Sequence, residues 1–180
     1  MRVISGERRG KKLQTLEGLE VRPTSDRVKE AVFDILQFSV EGCLFLDLFA
    51  GSGQVGIEAI SRGARQATLV DESRDAIRVV EKNLAATGFA DRAKVVRGDA
   101  LAFLRGSRDS FDIAFLDPPY RTGLLQQALP LAARRMAPGG KLLCEHPKEE
   151  ALPEQAGPLV KKKVYTYGKI ALTLYGEESL

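Results

Sequence analysis

At 180 residues, with 44% hydrophobic and 28% charged residues, the chain is sized and composed for one globular domain with a substantial core. No apolar run approaches the roughly 20 residues of a membrane helix. Met1-Arg2-Val3-Ile4-Ser5-Gly6 has no signal-peptide core. Cys43 and Cys144 are too few and too scattered for a disulfide framework or a zinc site. A cytoplasmic protein without metal or membrane is expected.

The net charge of +3 is unevenly spread. Residues 1–29 carry eight Lys/Arg against four Asp/Glu, and the other 151 carry 19 against 20. The excess is focused at Arg8, Arg9, Lys11 and Lys12, a basic arm on a near-neutral body, which favours a phosphate-backbone partner.

In chain order, two short extended segments, 2–5 and 12–16, flank Gly6 to Gly10 and predict a basic N-terminal hairpin extension over 1–21, followed by the main domain over 22–180. Arg22-Pro23-Thr24-Ser25-Asp26 punctuates the chain, with Thr24 or Ser25 able to cap a helix over 26–38. Val28, Ala31, Val32, Ile35 and Leu36 give that helix an apolar face. From residue 43 strand and helix signals alternate. Strands are predicted at 44–48, 68–70, 94–96, 113–116 and 141–145, with helices at 55–61, 73–87, 100–104 and 123–136. Gly88 stops the second of these helices, and Pro138-Gly139-Gly140 closes the last. Two tail strands, 162–167 and 170–175, turn around Gly168. This pattern predicts an α/β, Rossmann-like fold: a mostly parallel sheet with helices on both faces and an antiparallel C-terminal edge.

In such sheets ligands sit beyond the carboxyl ends of the strands. Asp47, Asp71, Asp99 and Asp117 each follow one of the first four core strands. Gly51-Ser52-Gly53-Gln54-Val55-Gly56 matches G-x-G-x-x-G between strand and helix, with Asp71 twenty residues past Gly51. That spacing fits a dinucleotide, but Asp47 would face an anionic pyrophosphate, whereas it could help hold a cation. S-adenosylmethionine, an adenosine bearing a sulfonium and an amino-acid zwitterion, suits the rim better. Asp71 would take the ribose hydroxyls, and Asp99 with the Ala100 N–H would read the adenine edge.

The fourth strand runs into Asp117-Pro118-Pro119-Tyr120. An ionised carboxylate and a proline carbonyl accept hydrogen bonds without offering donors. Successive prolines stiffen the backbone that carries them, and Tyr120 offers a flat stacking face. The set suits the exocyclic amine of a planar base.

With these motifs the sequence resembles the class I S-adenosylmethionine-dependent methyltransferases that carry a D-P-P-[YF] motif. Three N-terminal blocks narrow it: Arg2-Val3-Ile4-Ser5-Gly6, Arg9-Gly10-Lys11-Lys12-Leu13, and Arg22-Pro23-Thr24-Ser25-Asp26-Arg27-Val28-Lys29-Glu30. With Asp47-Leu48-Phe49-Ala50-Gly51-Ser52-Gly53, Gly56 and Glu58-Ala59, they resemble the RsmD family, bacterial 16S ribosomal RNA guanine-N2 methyltransferases. The resemblance spans about residues 1–176. It implies that Asp47, Phe49, Gly51 and Gly53 line the cofactor, Asp71 holds its ribose and Asp99 its adenine, with Thr24 near the methionine end. It further implies that Asp117, Pro118 and Tyr120 hold the target amine. The partner would be 16S rRNA, within the small subunit or an assembly intermediate, and the enzyme a monomer. Relatives often carry Glu after the second strand; here Asp71 is followed by Glu72, and either could reach the ribose.

Adenine-N6 methylation of DNA or RNA could use the same device, although 180 residues leave no room for a separate DNA-recognition domain. A non-catalytic RNA-binding shell and an NAD oxidoreductase are the rivals from other classes. His146, the only histidine, cannot form a histidine triad with a second one and is read as structural. Cys144 invites comparison with cysteine-adduct RNA methylation, but a buried strand cysteine is the plainer reading. Lys161-Lys162-Lys163 could add an RNA contact or protect a strand edge, and Tyr165 and Tyr167 pack on one face.

Overall fold

The computed structural model describes residues 1–16 and 25–179. Helix α1 (Asp26–Leu36) starts where Ser25, in extended backbone, turns its Oγ to accept the Val28 N–H. Thr24, the other expected cap, lies outside the described residues, as does the expected boundary at 21/22. Next come β1 (Leu44–Asp47), α2 (Gln54–Ser61), β2 (Gln66–Asp71), α3 (Arg74–Thr87), β3 (Ala93–Arg97), α4 (Ala100–Gly106), β4 (Phe111–Leu116) and α5 (Leu124–Ala133). The chain ends in β5 (Met136–Pro147), β6 (Gln155–Ala156), β7 (Leu159–Tyr167) and β8 (Ile170–Gly176).

These strands form one eight-stranded sheet in the order β3-β2-β1-β4-β5-β8-β7-β6. The pairs among β1 to β5 are parallel, and β8 runs antiparallel to both β5 and β7. The parallel register aligns Asp47 with both Leu69 and Phe115, so the turns after β1, β2 and β4 leave the sheet on one rim.

Alternation along the strands sorts side chains into two cores. Phe45, Leu69, Ile113 and Phe115 pack with Val32, Phe33 and Leu36 of α1 and with α2 and α3. Leu46, Leu48, Val70, Ala114 and Leu116 face α4 and α5. Phe33 stacks on Phe45 at 6.2 Å between ring centroids, tying α1 to the sheet centre. Burial of two such rings contributes about 1.5–3 kcal/mol each.

The helix expected over 123–136 is shorter than its pattern. It ends at Ala133, and β5 already begins at Met136, which pairs with Phe111. Pro138-Gly139-Gly140 therefore sits inside the strand, where the register with β4 shifts between Phe111 and Ile113. A Cβ on Gly140 would stand 2.8 Å from the Ala137 carbonyl, so the glycine serves a bulge rather than a helix stop.

The N-terminal residues make a single antiparallel bridge, Arg2 to Lys12, in place of two full strands. Val3 donates to the Lys11 carbonyl and Gly10 to the Val3 carbonyl. This arm is fastened to the body: Val3 and Leu13 are buried in the first core. Gly6, at φ +85°, approaches so closely that a Cβ would stand 1.8 Å from the Ser61 carbonyl oxygen. Beneath it Glu58, fully buried, accepts the N–H groups of Ile4 and Ser5 and the Arg62 Nε. Lys29, also fully buried, lies 3.5 Å from Glu58 and donates to the Arg2 carbonyl.

Candidate active site

The turn after β1 is built from its own backbone and the side chains of Asp71, Asp47 and Asn83, the last donating to the Ser52 carbonyl at 2.9 Å. Gly51 at φ +56° and Gly53 at φ +82° take conformations that side chains disfavour, and Gly53 caps α2. Gly51 donates to Asp71 Oδ2 at 2.9 Å, and Ser73 donates to Asp71 Oδ1 at 2.9 Å. Asp71 thus braces the turn while standing half-exposed at the end of β2, and Glu72 beside it is exposed. Asp47 is buried, its Oδ2 accepting the Gly56 N–H at 3.0 Å. Burial pushes the Asp47 carboxyl up to about 7; the Gly56 hydrogen bond opposes that rise and the Asp71 charge adds to it. Phe49 is half-buried against the second core.

Asp99 caps α4 by accepting the Ala102 N–H at 2.8 Å, and its side chain is exposed. Ala100 opens that helix, so its N–H points beyond the first turn without an intrahelical acceptor. Asp117 follows β4 directly and is half-buried; Pro118 is buried and Pro119 exposed. Tyr120 is half-buried, its hydroxyl donating to Glu145 Oε1 at 3.3 Å, which aims the ring from the end of β5. Thr122 Oγ1 donates to the Pro119 carbonyl at 2.8 Å and tightens the following turn, where Arg121 takes φ +58°.

The topology brings Asp47, Phe49, Gly51, Gly53, Asp71, Asp99, Ala100, Asp117, Pro118 and Tyr120 to one rim of the sheet. Thr24 lies outside the described residues. Arg8, Arg9, Lys11 and Lys12 are all exposed, and Arg8 in addition donates through Nε to the Thr87 carbonyl at 2.7 Å and lies over the Phe89 ring. His146 is locked in the sheet. Its Nδ1 meets the Pro147 carbonyl at 2.8 Å and must donate there, so Nε2 accepts from the Thr173 hydroxyl at 2.6 Å. Burial drives the Cys144 thiol far above the usual range, which removes it as a nucleophile.

Glu145, which aims Tyr120, and Asn83 were not singled out from the sequence, and Lys29 and Glu58 were quoted only within the blocks that carry the family resemblance, not as an ion pair. The signals existed. Glu58 is the lone charge in the apolar helix Gln54–Ser61, and Asn83 shares the buried face of α3 with Val80 and Leu84.

A parallel sheet in this order, an antiparallel strand inserted at its edge, a glycine turn after β1 and an acidic residue closing β2 define the class I methyltransferase fold. The comparisons are more particular. The model of the family described as Conserved hypothetical protein 95 matches residues 1–176. The chain belongs to this family, which is the RsmD family of the sequence resemblance. It is 39% identical to YlbH of Bacillus subtilis, covering 97% of this chain and 98% of that one. It is 36% identical to ribosomal RNA small subunit methyltransferase D of Escherichia coli, over 99% of this chain and 91% of that one. The solved structure of YhhF from Escherichia coli superposes with a TM-score of 0.88 at 37% identity, covering 100% of this chain and 99% of that one.

Proposed function

We propose that this protein transfers a methyl group from S-adenosylmethionine to the exocyclic N2 amine of a guanine in 16S rRNA of the small ribosomal subunit. The observation that carries the reading is the placement of Asp117-Pro118-Pro119-Tyr120 at the end of β4, the strand paired with β1 and its glycine turn.

The rim suits the cofactor on its own geometry. A Cβ built on Gly51 would meet no atom within 4 Å, so that turn turns backbone toward open space. Asp47 is a buried carboxylate beneath it that a cation would keep ionised. Asp71 or Glu72 faces the ribose, and Asp99 with the Ala100 N–H faces the adenine. S-adenosylmethionine, when bound, supplies a methyl group on a sulfonium that departs as a neutral thioether.

The chain's own residues do the rest. An exocyclic amine conjugated to its ring is a poor nucleophile. Asp117 and the Pro118 carbonyl accept its two N–H bonds, which turns the nitrogen lone pair out of the ring plane. As the new N–C bond forms, positive charge grows on that nitrogen beside the Asp117 carboxylate, a charge already in place before the reaction, and one N–H proton then leaves through Asp117 to solvent to give the neutral methylamine. Tyr120 stacks on the base, turned out of its RNA context, and Glu145 fixes the ring. Arg9, Lys11 and Lys12 bind the phosphate backbone.

The test is transfer of labelled methyl to small-subunit particles and to naked 16S rRNA, followed by nucleoside analysis. N2-methylguanosine is the expected product. N6-methyladenosine would replace the base assignment, and no incorporation into either substrate would reject the activity.

A further inference from the structure

Asn83 spends its entire side-chain amide on two other segments. Its Oδ1 accepts the Gln14 N–H at 2.7 Å, and its Nδ2 donates to the Gln14 carbonyl at 3.0 Å and to the Ser52 carbonyl at 2.9 Å. A primary amide has two N–H donors, so both are committed. Gln14 belongs to the arm that carries Arg9, Lys11 and Lys12, and Ser52 is the middle residue of the glycine turn. The same residue meets the arm a second time, for Ser52 Oγ lies 3.7 Å from Met1 Sδ. Asn83 is 1% exposed, so water does not compete for these bonds.

The arm's other attachments lead elsewhere. Ile4 and Ser5 donate to Glu58, Arg8 donates to Ser61 Oγ, and Ser61 Oγ donates to the Ser5 carbonyl. These contacts fasten the hairpin to α2 and touch nothing in the turn. Asn83 joins arm and turn through three hydrogen bonds, beside the longer direct contact of Ser52 Oγ with Met1 Sδ.

We propose that Asn83 is a positioning residue that couples the basic arm to the cofactor turn, so that RNA held on the arm tightens cofactor binding, and cofactor tightens RNA binding by the same factor. A displacement of the arm at Gln14 must either carry the Ser52 carbonyl with it or leave buried polar groups unpaired. The two binding events therefore favour one shared arrangement of three segments. This inference rests on the proposed function, from which it takes the cofactor and the RNA.

The test measures equilibrium binding of labelled S-adenosylhomocysteine, the unreactive product, with and without small-subunit particles. In the wild type the particles should tighten binding by about fivefold or more, the lower end of ordinary coupling. Asn83→Ala should bring that ratio close to one. So should Gln14→Pro, which removes the N–H accepted by Asn83 while fixing φ at this exposed arm residue, and which leaves the buried Asn83 side chain in place, so that a packing defect at Asn83 cannot account for a shared loss. Ser61→Ala loosens the hairpin on α2 without touching the turn and should keep the wild-type ratio. Amide hydrogen exchange over residues 51–56 should slow on particle binding in the wild type and Ser61→Ala, and not in the other two. A wild type with no coupling, a folded Asn83→Ala or Gln14→Pro that keeps the ratio, or a Ser61→Ala that loses it equally would each overturn the inference. A wild type that binds neither ligand would instead overturn the function on which it rests.

Discussion

In the turn after β1, polar groups close on one another: Gly51 on Asp71, Gly56 on Asp47, the Ser52 carbonyl on Asn83. The turn after β4 is held by other means. Two prolines restrict the chain, Thr122 ties back to the Pro119 carbonyl, and Tyr120 is steered by one bond to Glu145. The first turn is rigid because its donors and acceptors are consumed internally, and what it offers a ligand is shape and backbone. The second is rigid through covalent restriction, which fixes the Asp117 carboxylate and the Pro118 carbonyl at the end of β4. Cofactor and substrate sides should therefore respond differently to substitution, the first through binding and stability, the second through turnover.

Asp117→Ala breaks this comparison most sharply. It should cut turnover by about 100-fold or more while cofactor affinity stays within about twofold, since the lost partner acts on charge that develops only during transfer. Single-turnover kinetics beside calorimetric cofactor binding would check it, and near-normal turnover would remove Asp117 from the chemistry. Tyr120→Ala comes next. Loss of a base-stacking face, worth about 1–3 kcal/mol, should raise the KM for RNA about fivefold or more. Tyr120→Phe keeps the ring and loses the hydroxyl that bonds Glu145, so its effect should be a fraction of that. Equal effects would mean that the hydroxyl, rather than the ring, matters.

Gly6→Ala probes the arm's seat on the cofactor-side helix. The new Cβ would meet the Ser61 carbonyl at 1.8 Å, at a φ of +85° that side chains disfavour. A cost of about 1–3 kcal/mol should lower the Tm by about 2–10 °C. A thermal scan that shows no shift would mean that the arm can lift away without penalty.

Much of this was legible in the sequence, for a shared reason. The parallel order followed from alternating strand and helix periods, and Asp47, Asp71, Asp99 and Asp117 could be placed on one rim because each follows a strand. The misreadings arose where local signals have two meanings. Pro138-Gly139-Gly140 looks like the end of a helix, yet the same residues suit a bulge once β5 pairs with β4. A long-range bond was equally hidden at Arg8, whose exposed guanidinium also donates through Nε to the Thr87 carbonyl, 79 positions away. Glu145 could not be matched with Tyr120 without knowing that β4 and β5 are neighbours. Long-range pairings of this kind have no signature in spacing.

The effect spread over the widest pH range concerns Asp47, and its sign follows from burial. The carboxyl is pushed up to about 7 in the ligand-free protein, chiefly by burial, against a value of 3.8 when exposed. Its neutral form is favoured by folding, so its contribution to stability is complete below the unfolded value and is lost as pH rises through about 7. The linkage is of the order of a few kcal/mol. A cation bound nearby has the opposite preference, for the ionised form. Cofactor affinity should therefore rise with pH across the neutral range, by up to about tenfold between roughly pH 6 and 8, and level off above. Asp47→Asn should flatten that rise and remove the matching loss of stability. Because the ligand's own ammonium titrates identically against both proteins, the difference between their profiles isolates Asp47. Parallel profiles would show that this carboxylate serves only to seat the Gly56 N–H, and that the positive end of the cofactor is recognised elsewhere.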